Sequence, residues 1–140
     1  MDSIPKYPRT LHIGDSGGRS SRHQVEFDAL AGRHLVVEEK IDGSHAGLFF
    51  DDEASLRVFS RSTILSEDTV HQSLRPLLQA ADRCVDVLWD VLGTRYVLYG
   101  EWVYAMHAIF YDALPAYFIE DDVYDRERSC SWIQPSGARC

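Results

Sequence analysis

Lys40 stands between two carboxylates, in Glu39-Lys40-Ile41-Asp42-Gly43, just after the apolar run Leu35-Val36-Val37. The chain has only two lysines, Lys6 and Lys40, against twelve arginines. An amine can shed its proton and attack an electrophile, whereas a guanidinium keeps its charge. A lysine in a partly dry pocket loses its proton more readily and becomes a nucleophile. The plain alternative is a strand-end lysine paired with an acidic neighbour, an arrangement of little energetic weight. Further polar residues interrupt apolar stretches downstream. Arg61 follows Phe59-Ser60, Glu101 lies in Tyr99-Gly100-Glu101-Trp102, and Glu120-Asp121-Asp122 separates Tyr117-Phe118-Ile119 from Val123-Tyr124. A carboxylate in an apolar strand must pair or bind something, because burying it charged and alone is costly.

The elements that must position these residues follow from periodicity. Residues 1–24 read as an irregular lead-in with one short strand near Leu11–Ile13. Within it, Gly14-Asp15-Ser16-Gly17-Gly18 lacks the Gly-Lys-Ser/Thr ending of a phosphate loop and reads as a flexible loop. Residues 25–128 carry the ordered elements. Strands are expected at Leu35–Lys40, Ala46–Phe50 and Leu56–Arg61, an antiparallel meander turning at Gly43 and at Asp51-Asp52-Glu53. Ser66 with Glu67-Asp68 resembles a helix start. Leu74, Leu77, Leu78, Ala81, Val85, Leu88 and Leu92 then mark one buried helical face. Pro76 either kinks that stretch or sits in the first turn of its main helix, and Gly93 stops it. Strands at Tyr96–Tyr104 and Tyr117–Tyr124 flank an aromatic loop, Met106–Pro115. Residues 129–140 show no period and read as an unstructured or frayed tail. The fold class is α+β, with antiparallel sheets and flanking helices.

Composition narrows the function. A net charge of −8 argues against this chain alone gripping nucleic acid over a long footprint, which calls for a basic face. The groups Arg19, Arg22, His23 and Arg126, Arg128 are too short for that, so a polynucleotide substrate needs binding surface from elsewhere. There is no apolar run long enough for a membrane span and no signal-peptide pattern. Cys84, Cys130 and Cys140 are odd in number and make no Cys-x-x-Cys spacing, which fits a reduced cytoplasmic protein without a structural zinc.

Taken in order, Glu39-Lys40-Ile41-Asp42-Gly43, Ser60-Arg61-Ser62, Tyr99-Gly100-Glu101-Trp102 and Phe118-Ile119-Glu120-Asp121-Asp122-Val123-Tyr124-Asp125 form a set that resembles the covalent nucleotidyltransferases, the group of polynucleotide ligases and RNA capping enzymes. Glutamate directly before the lysine, and Tyr-Gly-Glu-Trp followed by Phe110-Tyr111-Asp112-Ala113-Leu114-Pro115, look most like the ATP-dependent RNA ligases of phage and bacterial type. The likeness runs from about Tyr7 to Arg128. It implies an adenylation-domain fold and a ligation of RNA 5′-phosphate and 3′-hydroxyl ends, using ATP and Mg²⁺, through AMP carried covalently on Lys40. It further implies nucleotide contacts from Glu39, Ile41, Asp42, Gly43, Arg61 and Glu101, with Asp122 as a possible metal ligand.

The chain also departs from the family pattern. Asp121 stands where these ligases usually carry an aromatic residue that stacks on adenine, leaving Phe118 or Tyr117 to supply the stacking. His45 stands where the RNA ligases often have asparagine, and no lysine follows Lys40 to form the family's Lys-x-Lys motif. On this reading the C-terminal part of the domain is missing and ligation is impaired. Exposed sheet edges would then favour self-association. A non-catalytic nucleotide- or RNA-binding remnant is the alternative. A DNA ligase or capping-type guanylyltransferase is a further one, although those tend to carry arginine at the position of His45.

Overall fold

The computed structural model describes residues 4–7, 11–14 and 24–132. Arg19, Arg22, His23, most of the glycine-rich loop and residues 133–140 of the expected tail lie outside the described residues. The chain forms two compact units, Tyr7–Lys40 and Ile41–Cys140 together with Met1–Lys6.

In the smaller unit, β1 (His12–Ile13) pairs in parallel with β2 (Gln24–Val25), and a 3-10 helix follows at Phe27–Leu30. Residues 34–40 form no regular element, and Val37 is 90% exposed. The strand expected at Leu35–Lys40 is therefore absent. Its residues have strand propensity, but propensity only becomes a strand where a ladder partner and a surface to pack on are supplied.

The larger unit is α+β, a six-stranded antiparallel sheet with two helices. Its strands are β3 (Ser44–Phe50), β4 (Leu56–Ser60), β5 (Thr63–Ile64), β6 (Tyr96–Trp102), β7 (Phe118–Asp125) and β8 (Cys130–Trp132), in the spatial order β5-β4-β3-β6-β7-β8. The sequence showed no period at β8, yet Tyr124 pairs with Ser131 there. The outermost strands are short, β5 pairing only with Phe59 and Ser60 of β4 and β8 only with Val123–Asp125 of β7. Helices α1 (Arg75–Arg83) and α2 (Val85–Leu92) connect β5 to β6. Pro76 lies in the first turn of α1, where its missing N–H costs nothing. That same proline rules out one helix running from Ser66, since its ring would collide with the preceding turn. Ser66–Thr69 closes instead as a single turn, with the Thr69 N–H donating to Ser66 O at 3.1 Å.

The sheet is apolar on both faces at its centre, which is why Ala46–Phe50 reads as a continuous buried run rather than an alternating one. On one face Ala46, Leu48, Val58 and Trp102 pack with Leu77 and Ala81 of α1, and the Trp102 indole N–H donates to Ser73 O at 2.8 Å. On the other face Phe49, Phe59, Val97 and Tyr99 cluster with Ile4 and Tyr124.

Two buried acids tie down turns. Asp125 is fully buried and takes a two-point contact from Arg95, with the shortest distance 2.6 Å. Its carboxyl is held below the ordinary range, first by Arg95 and then by the Arg128 and Glu127 backbone N–H groups, against the opposing effect of burial. Asp51 is likewise lowered, chiefly by the Ser55 N–H at 2.8 Å, with Arg57 adding to it. A depressed folded-state pKa gives stability that is complete above the unfolded value of about 3.9 and is lost as pH falls through the folded value. The thermal midpoint is thus expected to hold from pH 7 to about 5 and to drop below about 4, with a shallower drop in Asp125→Asn. An unchanged midpoint down to pH 3 would contradict this. Cys84 is an exposed free thiol.

Candidate functional site

The Asp42–Gly43 turn is held by a loop more than sixty residues away in sequence. The Asp42 backbone N–H donates to the Tyr111 hydroxyl at 2.7 Å, and its carboxylate accepts from the Ala108 N–H at 2.9 Å. Ser44 Oγ lies 3.1 Å from His107 Nε2. A Cβ on Gly43 would stand 2.9 Å from the Trp102 carbonyl oxygen, so the turn passes against β6 where only glycine fits. Sequence reading did not single out His107, Ala108 or Tyr111 as partners of the turn. Their one visible signal was the aromatic run Phe110-Tyr111 in an otherwise irregular segment. Removing the carboxylate in Asp42→Ala is expected to cost about 1 kcal/mol and to speed hydrogen exchange at the Ala108 amide. Unchanged exchange at that amide would show that the clamp does not operate in solution.

From this turn the chain enters β3, whose register sets His45 opposite Glu101 on β6. Glu101 is only 9% exposed, and its Oε1 lies 3.9 Å from His45 Nδ1. The His45 ring stacks on Tyr99, with centroids 5.8 Å apart and planes 13° from parallel. Tyr99 is itself fixed, since its hydroxyl donates to Pro5 O at 2.9 Å and its ring meets Phe59 edge-on. The His45 carbonyl accepts from Ser60 Oγ at 2.8 Å and from the Arg61 N–H at 3.3 Å. Arg61 turns the chain out of β4 with φ at +55°, a left-handed conformation that strains a non-glycine residue. Its side chain is exposed.

Two candidates are placed differently from expectation. Between β6 and β7 the register slips by one residue, so Tyr99 faces Asp122 while Gly100 faces Glu120. The extra residue, Asp121, joins His45 and Glu101, and ligand atoms of these three side chains all lie within 4.8 Å of one another. Asp121, and not Asp122, is the acid in this group; Asp122 sits buried opposite Tyr99. Phe118 pairs with Trp102 and packs into the helix-side cluster, on the face opposite Glu101. Tyr117 rests edge-on against Trp102 and Tyr104. Strand alternation turns Phe118 away from the acids, while Tyr117 is exposed just before β7.

Ile41, Asp42 and Gly43 are half-buried at the start of the larger unit, and Glu39 and Lys40 are the exposed last residues of the smaller one. The boundary falls within the motif, at the Lys40–Ile41 bond. A cleft of about 610 Å³ opens on the helix side of the sheet, lined by Leu56, Val58, Leu65 and Leu78 with Glu67 and Arg83, on the face away from Glu101. Among the described residues no helix is long and apolar enough to cross a membrane.

Comparison with known proteins adds one finding. A family model described as RNA ligase matches residues 33–137, more than half of the chain and a span holding every motif residue above. No curated protein and no solved structure matches the chain.

Proposed function

The chain belongs to the RNA ligase family, and from that premise we propose that it carries the adenylate-forming residues of an ATP-dependent ligase for RNA ends. The Lys40 amine attacks the α-phosphorus of ATP. A nitrogen–phosphorus bond forms, the bond from that phosphorus to the bridging oxygen breaks, pyrophosphate departs and the amine proton goes to solvent. AMP then passes to an RNA 5′-phosphate, freeing Lys40, and a 3′-hydroxyl displaces AMP to form the phosphodiester. Such transfers depend on positioning and charge neutralisation. Glu101 accepts hydrogen bonds from the ribose hydroxyls, a role suited to an acceptor-only group. Arg61 offers its guanidinium to ribose or phosphate, while Glu39 and Ile41 contact the base. Asp42 and Gly43 shape the turn that follows the nucleophile.

The observation that carries this reading is the buried Glu101 standing opposite His45, in register with the strand that leaves the clamped Asp42–Gly43 turn. Mg²⁺ enters as part of the ATP substrate. As a resident ion it would be a poor match for a cluster that includes an imidazole, because it takes oxygen ligands in a near-ideal octahedron. The test is incubation with ATP labelled at the α-phosphate and Mg²⁺, followed by denaturation and mapping of the label to Lys40. Chasing with 5′-phosphorylated RNA should discharge it.

A second reading is favoured by Asp121, whose carboxylate lies beside Glu101 where the family usually has an aromatic face. It makes the chain a nucleotide- or RNA-binding protein without transfer. ATP binding with no covalent label would select it.

A further inference from the structure

We propose that His45, Glu101 and Asp121 form a binding site for a first-row transition-metal dication, with Mn²⁺ or Zn²⁺ preferred over Mg²⁺. The three side chains come from three adjacent strands, β3, β6 and β7, and their ligand atoms lie within 4.8 Å of one another. Bonds of about 2.1 Å place neighbouring ligand atoms about 3 Å apart and opposite ones about 4.2 Å apart. Small side-chain rotations therefore close the group onto one ion. One imidazole nitrogen with two carboxylate oxygens is the donor mixture of Mn²⁺, Co²⁺ and Zn²⁺ sites, whereas Mg²⁺ and Ca²⁺ take oxygen alone.

The site is built rather than incidental in two respects. The His45 ring is laid on Tyr99, which is anchored to Pro5, and the His45 backbone is pinned by Ser60 and Arg61. Contacts of this kind fix the orientation of the His45 ring and backbone. Asp121 reaches the group only through the register slip at Tyr99/Gly100, which adds one residue to β7 at that point. Burial is graded, from Glu101 at 9% to an exposed Asp121, so an ion has an open approach and coordination positions left for water or a phosphate oxygen. Each carboxylate has a second oxygen, so Glu101 can ligate and still accept from a ribose. The inference stands without the Lys40 chemistry, and its test contains no nucleotide.

The experiment is calorimetric titration of the tag-free, chelator-stripped full chain with Mn²⁺, Zn²⁺ and Mg²⁺ in separate arms, repeated with Asp121→Asn and His45→Asn. Mn²⁺ is the deciding probe, because the exposed Cys84 thiol competes for Zn²⁺ but is a poor partner for Mn²⁺. One equivalent of Mn²⁺ is expected, at least tenfold tighter than Mg²⁺, with at least a tenfold loss in each variant. Asp121 is exposed and its asparagine keeps the shape, so that variant remains decisive even if His45→Asn fails to fold. Absence of Mn²⁺ binding, equal affinity for Mg²⁺, or wild-type Mn²⁺ affinity in Asp121→Asn would each overturn the assignment.

Discussion

Lys40→Ala is expected to abolish the covalent label that ATP leaves on the protein, by at least about a thousandfold. The only other lysine, Lys6, lies outside the Glu39–Gly43 motif. Lys40→Arg should be as inactive, because a guanidinium cannot present a free amine lone pair. Lys40 is also exposed, on a segment without regular structure, so both variants should melt within about 0.5 kcal/mol of wild type. Loss of label with unchanged melting separates a chemical role from a structural one. Label persisting in Lys40→Ala would sink the assignment of the nucleophile. Wild-type protein that binds ATP yet acquires no label would move the chain to the non-catalytic reading.

The second large effect is expected at Gly100. A Cβ there would lie 2.4 Å from the Ile119 carbonyl oxygen and 2.8 Å from Phe118 Cζ. The first of these is backbone, and it cannot retreat without disturbing the β6–β7 ladder. Gly100→Ala should therefore destabilise by about 3 kcal/mol, at the upper end for overpacking. For a chain of this size the thermal midpoint should fall by roughly 10 °C. The register slip that delivers Asp121 sits at the same point, so any folded Gly100→Ala protein should also bind Mn²⁺ more weakly. A midpoint within 2 °C of wild type would show that the two strands part more easily than their packing implies.

Local pattern carried much of this fold. The step from Leu74 to Leu92 marked one helical face; the stretch is helical, because a helix buries neighbours three and four residues apart and needs no distant partner to declare itself, but it divides at Cys84 into α1 and α2. The Ala46–Phe50 strand was expected from a two-fold pattern, and it forms, buried on both faces. The run at Leu35–Val37 looked equally good and forms no strand, since a strand is completed only by its ladder. The motif residues were legible as residue types in a fixed order, and the family match covers the same span.

What sequence alone determined, then, was an α+β chain of the RNA ligase family, with Lys40, Arg61 and Glu101 singled out by chemistry. Tertiary structure decided which side chains meet. Of three consecutive acids, the register slip beside Gly100 selects Asp121 for the company of His45 and Glu101, and strand alternation sends Phe118 to the opposite face. It also supplied the hold of Ala108 and Tyr111 on Asp42 across the sheet end. Side-chain direction in a strand reverses with every residue, so one slip moves a whole site. That slip is set by packing between strands far apart in the chain, where no local periodicity can register it.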